Sequence, residues 1–226
     1  MSIDLETPAK TTARDPSRRS FPVVLGAILV VAALAVAGTV GWLIGNNDSG
    51  SSVPSESSVD AGFARDMSTH HTQAVDMAGY TRDNTSDASI KILARDIETQ
   101  QYFQLGEMQG WLDNWDLSRT STLGQMSWMV GHSHLESDGL MPGMATPAQM
   151  DKLETLTGKP LDIYFLQLMI HHHQGGLPMA QYAAEHATEP YVRNVAQKMA
   201  QAQSNEIVQM EQMLRQLGGT PLPAPS

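Results

Sequence analysis

The chain contains no cysteine, which excludes a disulfide framework and any thiolate metal site. No stretch shows the two-residue alternation of a strand, so the pattern points to an all-α fold. A basic surplus is missing too. From Asn46 onward, 10 Lys and Arg stand against 21 Asp and Glu, a formal net charge of −11. A nucleic-acid partner would need a basic surface and is excluded. Acidity suits attraction of cations, though its usual consequence is solubility. No nucleophile–base pair and no open hydrolytic zinc site can be read, so the chain is not expected to be an enzyme. Glu-x-x-His, the spacing by which helical bundles hold two irons, does not occur.

Charge is also absent from Phe21 to Ile44, a run of mostly Val, Ala, Leu, Ile and Gly. Lys10, Arg14, Arg18 and Arg19 precede it. Residues 1–20 therefore read as a cytoplasmic basic tail and residues 21–45 as a transmembrane helix with the remainder outside. The competing reading is a twin-arginine-like export signal at Ser17-Arg18-Arg19-Ser20-Phe21, cut after Ala35-Val36-Ala37. The apolar run continues past Ala37, which favours a retained anchor. Residues 46–59, rich in Ser, Gly and Asn, read as a flexible linker. Residues 218–226, rich in Pro, read as a disordered tail.

What the chain does contain is 14 methionines and eight histidines, with all the histidines and all but one methionine beyond residue 60. It also contains itself twice. Shifting by 102 residues places Phe63 on Phe165, Met67 on Met169, His70-His71 on His172-His173, Ala74 on Gly176 and Met77 on Met179. The same shift places Ile90 on Val192, Ala94 on Ala196, Gln101 on Gln203, Met108 on Met210 and Leu112 on Leu214. One constant offset over fifty residues implies a duplicated helical unit.

The first unit, residues 60–115, begins with a helix to about Tyr80 that Asp60 would cap. Its apolar seam is Phe63, Met67, His70, Ala74 and Met77, in steps of four and three. A polar turn follows, capped by Ser86 or Asp87, and a second helix runs to about Trp115. The second unit, residues 161–217, repeats this. Gly175, Gly176 and Pro178 are expected to kink its first helix, because proline removes a helical hydrogen bond. Between them lies a Met/His-rich connector, residues 117–158, ending in a short helix. That helix has Thr146 as cap, Pro147 at the first position and Gln149 reaching back. Short loops make each helix pair antiparallel, and two such hairpins close most simply into a four-helix bundle with pseudo-twofold symmetry.

The middle of each seam is polar: His70 and His172 on the first helices, Gln101, Gln104, Gln203 and Glu206 on the second. A buried polar group without a partner costs about 1–3 kcal/mol, so four polar seams at one level imply a shared network or a bound ion. A self-satisfied layer of His–Gln hydrogen bonds is the plainer reading. The doubled Met-x-x-His-His favours a metal, since imidazole is a common ligand. Met-x-x-His occurs at Met67/His70, Met129/His132 and Met169/His172. Thioethers select copper, above all Cu(I), and imidazole binds either copper state. The candidate ligands are His70, His71, His172 and His173 with Met67, Met77, Met169 and Met179. Gln104 and Glu206 would orient the rings, and Met108 and Met210 stand close by in the seams. Any one of these methionines could equally be core filling. In the connector, His132, His134, Met129, Met141 and Met144 form either a more exposed second copper site or a plain surface loop. His186 reads as a partner of the dipole at a helix C-terminus.

These motifs, from Phe63-x-x-x-Met67-x-x-His70-His71 through Met141-Pro142-Gly143-Met144 to His172-His173-Gln174-Gly175 and Met179-Ala180, resemble the domain of unknown function 305. That bacterial family includes the CopM-type periplasmic copper-binding proteins. The resemblance spans roughly residues 60–217 and implies a ferritin-like bundle and copper binding linked to copper tolerance. It points to a membrane-tethered, extracytoplasmic copper sink or chaperone, with copper ions and a copper-accepting protein as partners. The alternative is a metal-free envelope bundle that serves as a protein-interaction module.

Overall fold

The computed structural model describes residues 53–131 and 135–225. Five helices occur there and no strand among the described residues: α1 (Val59–Asn84), α2 (Ala88–Asn114), α3 (Pro147–Thr155), α4 (Gly158–His186) and α5 (Pro190–Gln216). The helix caps follow from local chemistry. Asp87 Oδ1 accepts from the backbone N–H of Ser89 at 2.8 Å and of Ile90 at 3.1 Å, starting α2. Thr146 and Gln149 form the reciprocal capping box of α3. The cap of α1 is Ser58, not Asp60, with Ser58 Oγ accepting from Ala61 N at 3.1 Å. Asp60 is left free for another task. Helix α4 runs through Gly175, Gly176 and Pro178 without interruption. The two glycines are explained instead by close approaches described below.

Helices α1 and α2 pair as an antiparallel hairpin, as do α4 and α5, and α1 packs along α4. The seam residues Phe63, Met67, His70, Ala74 and Met77 are all fully buried, as are Phe165, Met169, Gly176 and Met179. The two hairpins latch each other reciprocally. Asp60 accepts from the N–H groups of Thr188 at 2.9 Å and Glu189 at 2.8 Å, closing the start of α5. One repeat length on, Asp162 accepts from the Thr85 hydroxyl at 2.5 Å in the turn before α2. A carboxylate at a helix start satisfies orphan donors and meets the positive end of the helix dipole.

Two apolar clusters fill the ends of the bundle. One contains Phe63, Met67, Met108, Met179 and Met199. The other contains Met77, Ile97, Phe165, Met169 and Met210. The shift of 102 residues pairs Met67 with Met169, Met108 with Met210 and Met179 with Met77 across the two clusters, with Met199 corresponding to Ile97, as a pseudo-twofold relation requires. Each fully buried side chain of this size contributes roughly 1.5–3 kcal/mol. The histidines lie between the clusters.

The connector folds back over the bundle. Asp66 Oδ2 accepts from Met126 N at 2.7 Å and Trp128 Nε1 at 2.8 Å, and Trp128 lies where a side chain on Gly62 would stand. Farther on, Gln73 grips Ala145 from both sides, donating to its carbonyl at 2.8 Å and accepting from its N–H at 2.7 Å. The described end of the linker and the tail both make specific contacts. The linker ends in fixed contacts, since Arg65 Nη2 lies 2.5 Å from a Glu56 carboxylate oxygen and Arg65 Nη1 donates to the Glu56 carbonyl at 3.1 Å. The tail has no regular structure but lies on α4. Gln167 donates to the Thr220 carbonyl at 2.7 Å, and Leu222 packs on the second cluster. No helix of the described residues is long and apolar enough to cross a membrane. The apolar segment 21–45 lies outside the described residues.

Candidate metal centre

Four imidazoles meet where α1 crosses α4. His70 and His172 lie ring to ring, 3.8 Å between centroids with planes 38° apart. His173 lies 6.3 Å from His172. His70, His71 and His173 are fully buried and His172 is 1% exposed. The 3.6-residue helical period puts two consecutive histidines about 100° apart. One ring of each pair therefore points across the α1–α4 interface, and the other turns toward the second helix of its own hairpin.

The outward-turned rings are held in equivalent ways. His71 Nε2 lies 2.7 Å from Gln104 Oε1, and His173 Nε2 lies 2.7 Å from Glu206 Oε2. These are the orienting contacts expected of Gln104 and Glu206. His70 Nε2 lies 3.1 Å from the Pro142 carbonyl oxygen. Each of these oxygens can only accept, so Nε2 carries the ring proton in all three histidines. Their Nδ1 atoms are bare lone pairs. All three Nδ1 atoms are buried without a hydrogen-bond partner, as is Nε2 of His172. Gln101 Oε1, Gln174 Oε1 and Gln203 Oε1 share that condition.

Burial holds His70, His71 and His172 neutral. Desolvation is the leading cause that lowers His70 to about 4, against a partly compensating hydrogen bond to the Pro142 carbonyl. It lowers His71 to about 3, with Gln104 opposing and His70 and His173 adding to the drop. His172 is driven well below 6.5 by burial and then by His70, His173 and His71. Neutral imidazole is the form that binds metal.

The connector closes the layer from one side, and this needs two glycines. A side chain on Gly175 would overlap the Pro142 carbonyl. Gly143, at φ +81°, would place a Cβ 2.5 Å from the His171 carbonyl and 3.0 Å from that of His172. The backbone at Pro142-Gly143 thus lies directly on the backbone of α4, which brings the Pro142 carbonyl to His70. Sequence reading noticed these residues as a motif but not as a lid on the histidines. Their signal was present in the Pro-Gly pair facing Gly-Gly.

The remaining candidates are placed as follows. Met67, Met108 and Met179 lie in one apolar cluster and Met77, Met169 and Met210 in the other. Met129 and Met141 do not form an exposed loop site. Both are buried in the first cluster, with Met144 partly buried against it, because Asp66 and Gln73 pull the connector onto the bundle. His132 and His134 lie outside the described residues. His171 turns away from the layer and bonds the Pro223 carbonyl at 2.9 Å. His186 bonds the Tyr182 carbonyl one turn back at 2.9 Å, as a helix C-terminal partner would. Among the described residues, no three His, Cys, Asp or Glu side chains are already converged on one metal position.

Solved structures of this shape exist. A DUF305 protein from Streptomyces coelicolor is 44% identical with a TM-score of 0.70, over 75% of this chain and 99% of its own. A DUF305 fragment from Deinococcus radiodurans is 28% identical with a TM-score of 0.60, over 70% of this chain and 96% of its own. CopM in its Cu(II)-bound form is 26% identical with a TM-score of 0.57, over 70% of this chain and 97% of its own. CopM has also been solved with Cu(I) and with silver. No curated protein sequence matches the chain. The model of the domain of unknown function DUF305 matches residues 60–214, and the chain belongs to that family.

Proposed function

We propose that this protein binds copper outside the cytoplasm, for sequestration or delivery, and catalyses no reaction. The observation that carries this reading is the set of buried ring nitrogens without partners: Nδ1 of His70, His71 and His173 and Nε2 of His172. Each such atom in a dry core costs about 1–3 kcal/mol, a cost that a coordinated ion removes. Gln104 and Glu206 fix the rings from behind, as the outer partners of metal-binding histidines do. Met67, Met77, Met169 and Met179 supply thioethers on either side of the ring layer, the soft donors that favour copper and silver over zinc. CopM, a structural relative, is a copper- and silver-bound protein in its solved forms. The apolar segment 21–45 supplies the membrane anchor, and the S. coelicolor relative, described as secreted, fits an extracytoplasmic bundle.

The competing reading is a metal-free bundle that presents a surface to another protein. Its support is that no three of the side chains converge before an ion arrives. Titration separates the two. The full chain and its H71A/H173A variant are titrated with Cu(II) and with Ag(I), and bound metal is counted. We expect at least one ion per chain in the parent and fewer in the variant. No uptake by either protein would leave the metal-free reading standing, and equal uptake by both would place the ion away from these histidines.

A further inference from the structure

His70 is boxed in on three sides. Its Nε2 lies 3.1 Å from the Pro142 carbonyl oxygen. Its face lies on His172, with the ring centroids 3.8 Å apart. Its remaining edge presses on Gly176, where a methyl group would stand only 3.0 Å from Cε1 and 3.3 Å from Nδ1. The four rings are fully buried or nearly so. Among the described residues, no three ligand-type side chains already converge. The arrangement is therefore closed to ions. A ring must move before an ion can be held, and the layer must be uncovered before an ion can arrive.

The cover least able to resist is the connector. The four long helices hold one another through two clusters of fully buried side chains. Residues 141–145 form neither helix nor strand. They are held by the buried Met141 side chain, by the two hydrogen bonds between Gln73 and Ala145, and by the contact of Pro142 with His70. A short irregular strap with few bonds opens at lower free energy than a packed helix. One of those bonds ends on His70 itself, so lifting the strap uncovers the layer and unpins the ring in one movement. The two copies of the repeat divide the task. Gln73 clasps the strap from α1, and its counterpart Gly175 on α4 seats it by having no side chain.

We infer that residues 141–145 are a gate over the histidine layer: ions enter and leave when this strap lifts from α4, and Gln73 is the latch that sets how often. The inference rests on the copper reading above and adds to it the route and the rate of loading. The alternative route passes between α2 and α5, beside Gln104 and Glu206, and would leave His70 pinned.

The test uses the full chain in detergent, with Ag(I) as the monovalent probe and Cu(II) as the divalent one. Protein and ion are mixed rapidly, a chelator strips free ion after set intervals, and bound metal is counted. Uptake by the parent should level off as ion concentration rises, because opening becomes limiting. Gln73→Ala removes the latch and should raise that limiting rate about tenfold, with the number of ions bound unchanged. Asp60→Ala also loses two hydrogen bonds, but to the start of α5, and should leave the rate as in the parent. Equal acceleration by both variants would mean that ions enter by general loosening of the bundle. An unchanged rate in Gln73→Ala would mean that they pass between α2 and α5. Either result overturns the gate while leaving copper binding intact, as does a parent rate that rises in proportion to ion concentration without levelling. A parent protein that takes up neither ion overturns both readings.

Discussion

His71 and His173 occupy equivalent positions, and each ring is held at 2.7 Å by a residue 33 positions later. One holder is an amide, Gln104, and the other a carboxylate, Glu206. The same inequality runs through both hairpins. His70 is tied to Pro142, whereas Nε2 of His172 has no partner. Gln73 grips the connector through its side chain, while its counterpart Gly175 admits the connector by having none. The reason is geometric. Two hairpins can obey a twofold relation, but the single connector between them cannot. It must lie on one face, and the residues it touches in each copy have diverged to suit it.

Acid should produce the largest effect, and it tests what the hairpins share. In the fold His70 and His71 stay neutral down to about 4 and about 3, against an ordinary value of 6.5. Below 6.5 the unfolded chain therefore binds more protons than the folded one. Stability is complete above that pH and is lost as pH falls toward 4. At about 1.4 kcal/mol per pH unit for each ring, the two together cost roughly 6 kcal/mol by pH 4. Denaturant midpoints of the apo protein between pH 7 and 4 measure this, and replacing His71 by Gln should flatten the profile. A level profile in the parent would mean that the layer is wet or open.

Next in size is the connector contact, where the hairpins differ most. Gly175→Ala forces a methyl group into the Pro142 backbone and should cost about 3 kcal/mol or more, since neither backbone can yield cheaply. Gln73→Ala, at the equivalent place, loses two hydrogen bonds to Ala145 and should cost about 1–2 kcal/mol. Urea denaturation of the two variants gives the ratio, and similar losses would contradict the asymmetry.

The reciprocal latches should differ less. Asp60→Ala removes a carboxylate from two backbone donors and should cost about 2 kcal/mol. Asp162→Ala removes one bond to Thr85, from a carboxyl whose pKa burial raises, and should cost about 1 kcal/mol. Thermal melts suffice to rank them. The reverse ranking would show that the turn before α2 depends on its latch more than the start of α5 does.

The smallest expected change is in metal affinity. Glu206→Gln makes the second hairpin resemble the first while keeping an acceptor for His173. A neutral partner makes the imidazole a weaker donor, so copper affinity should fall about tenfold. Gln104→Glu should raise it by a similar factor. Competition against a chelator of known affinity reads both, and no change in either would mean that the outer partners only position the rings.

Much of this was legible in the residues. The 102-residue offset and the three-four spacing of Phe63, Met67, His70, Ala74 and Met77 identified the hairpins, the buried face and the histidine layer, because helical periodicity follows from covalent geometry. Asp60 was misread as a cap because a cap and a distant latch use the same carboxylate. Gly175 and Gly176 read in the sequence only as part of a kink, because glycine's helix propensity is visible there while the backbone and ring pressing on them are not. The tail looked disordered from its prolines, yet Gln167 and His171 hold its carbonyls across about fifty residues of chain.

The sequence by itself determined that there are two copies of one helical hairpin, each carrying a His-His pair among methionines, since these follow from order and spacing along one chain. Only the tertiary structure decided that His70 and His172 meet ring to ring, that three of the rings keep Nδ1 without a partner, and that the glycines of α4 admit the connector backbone on one side and the His70 ring on the other. Those outcomes depend on which groups approach through space, and elements about a hundred residues apart are brought into contact only by packing.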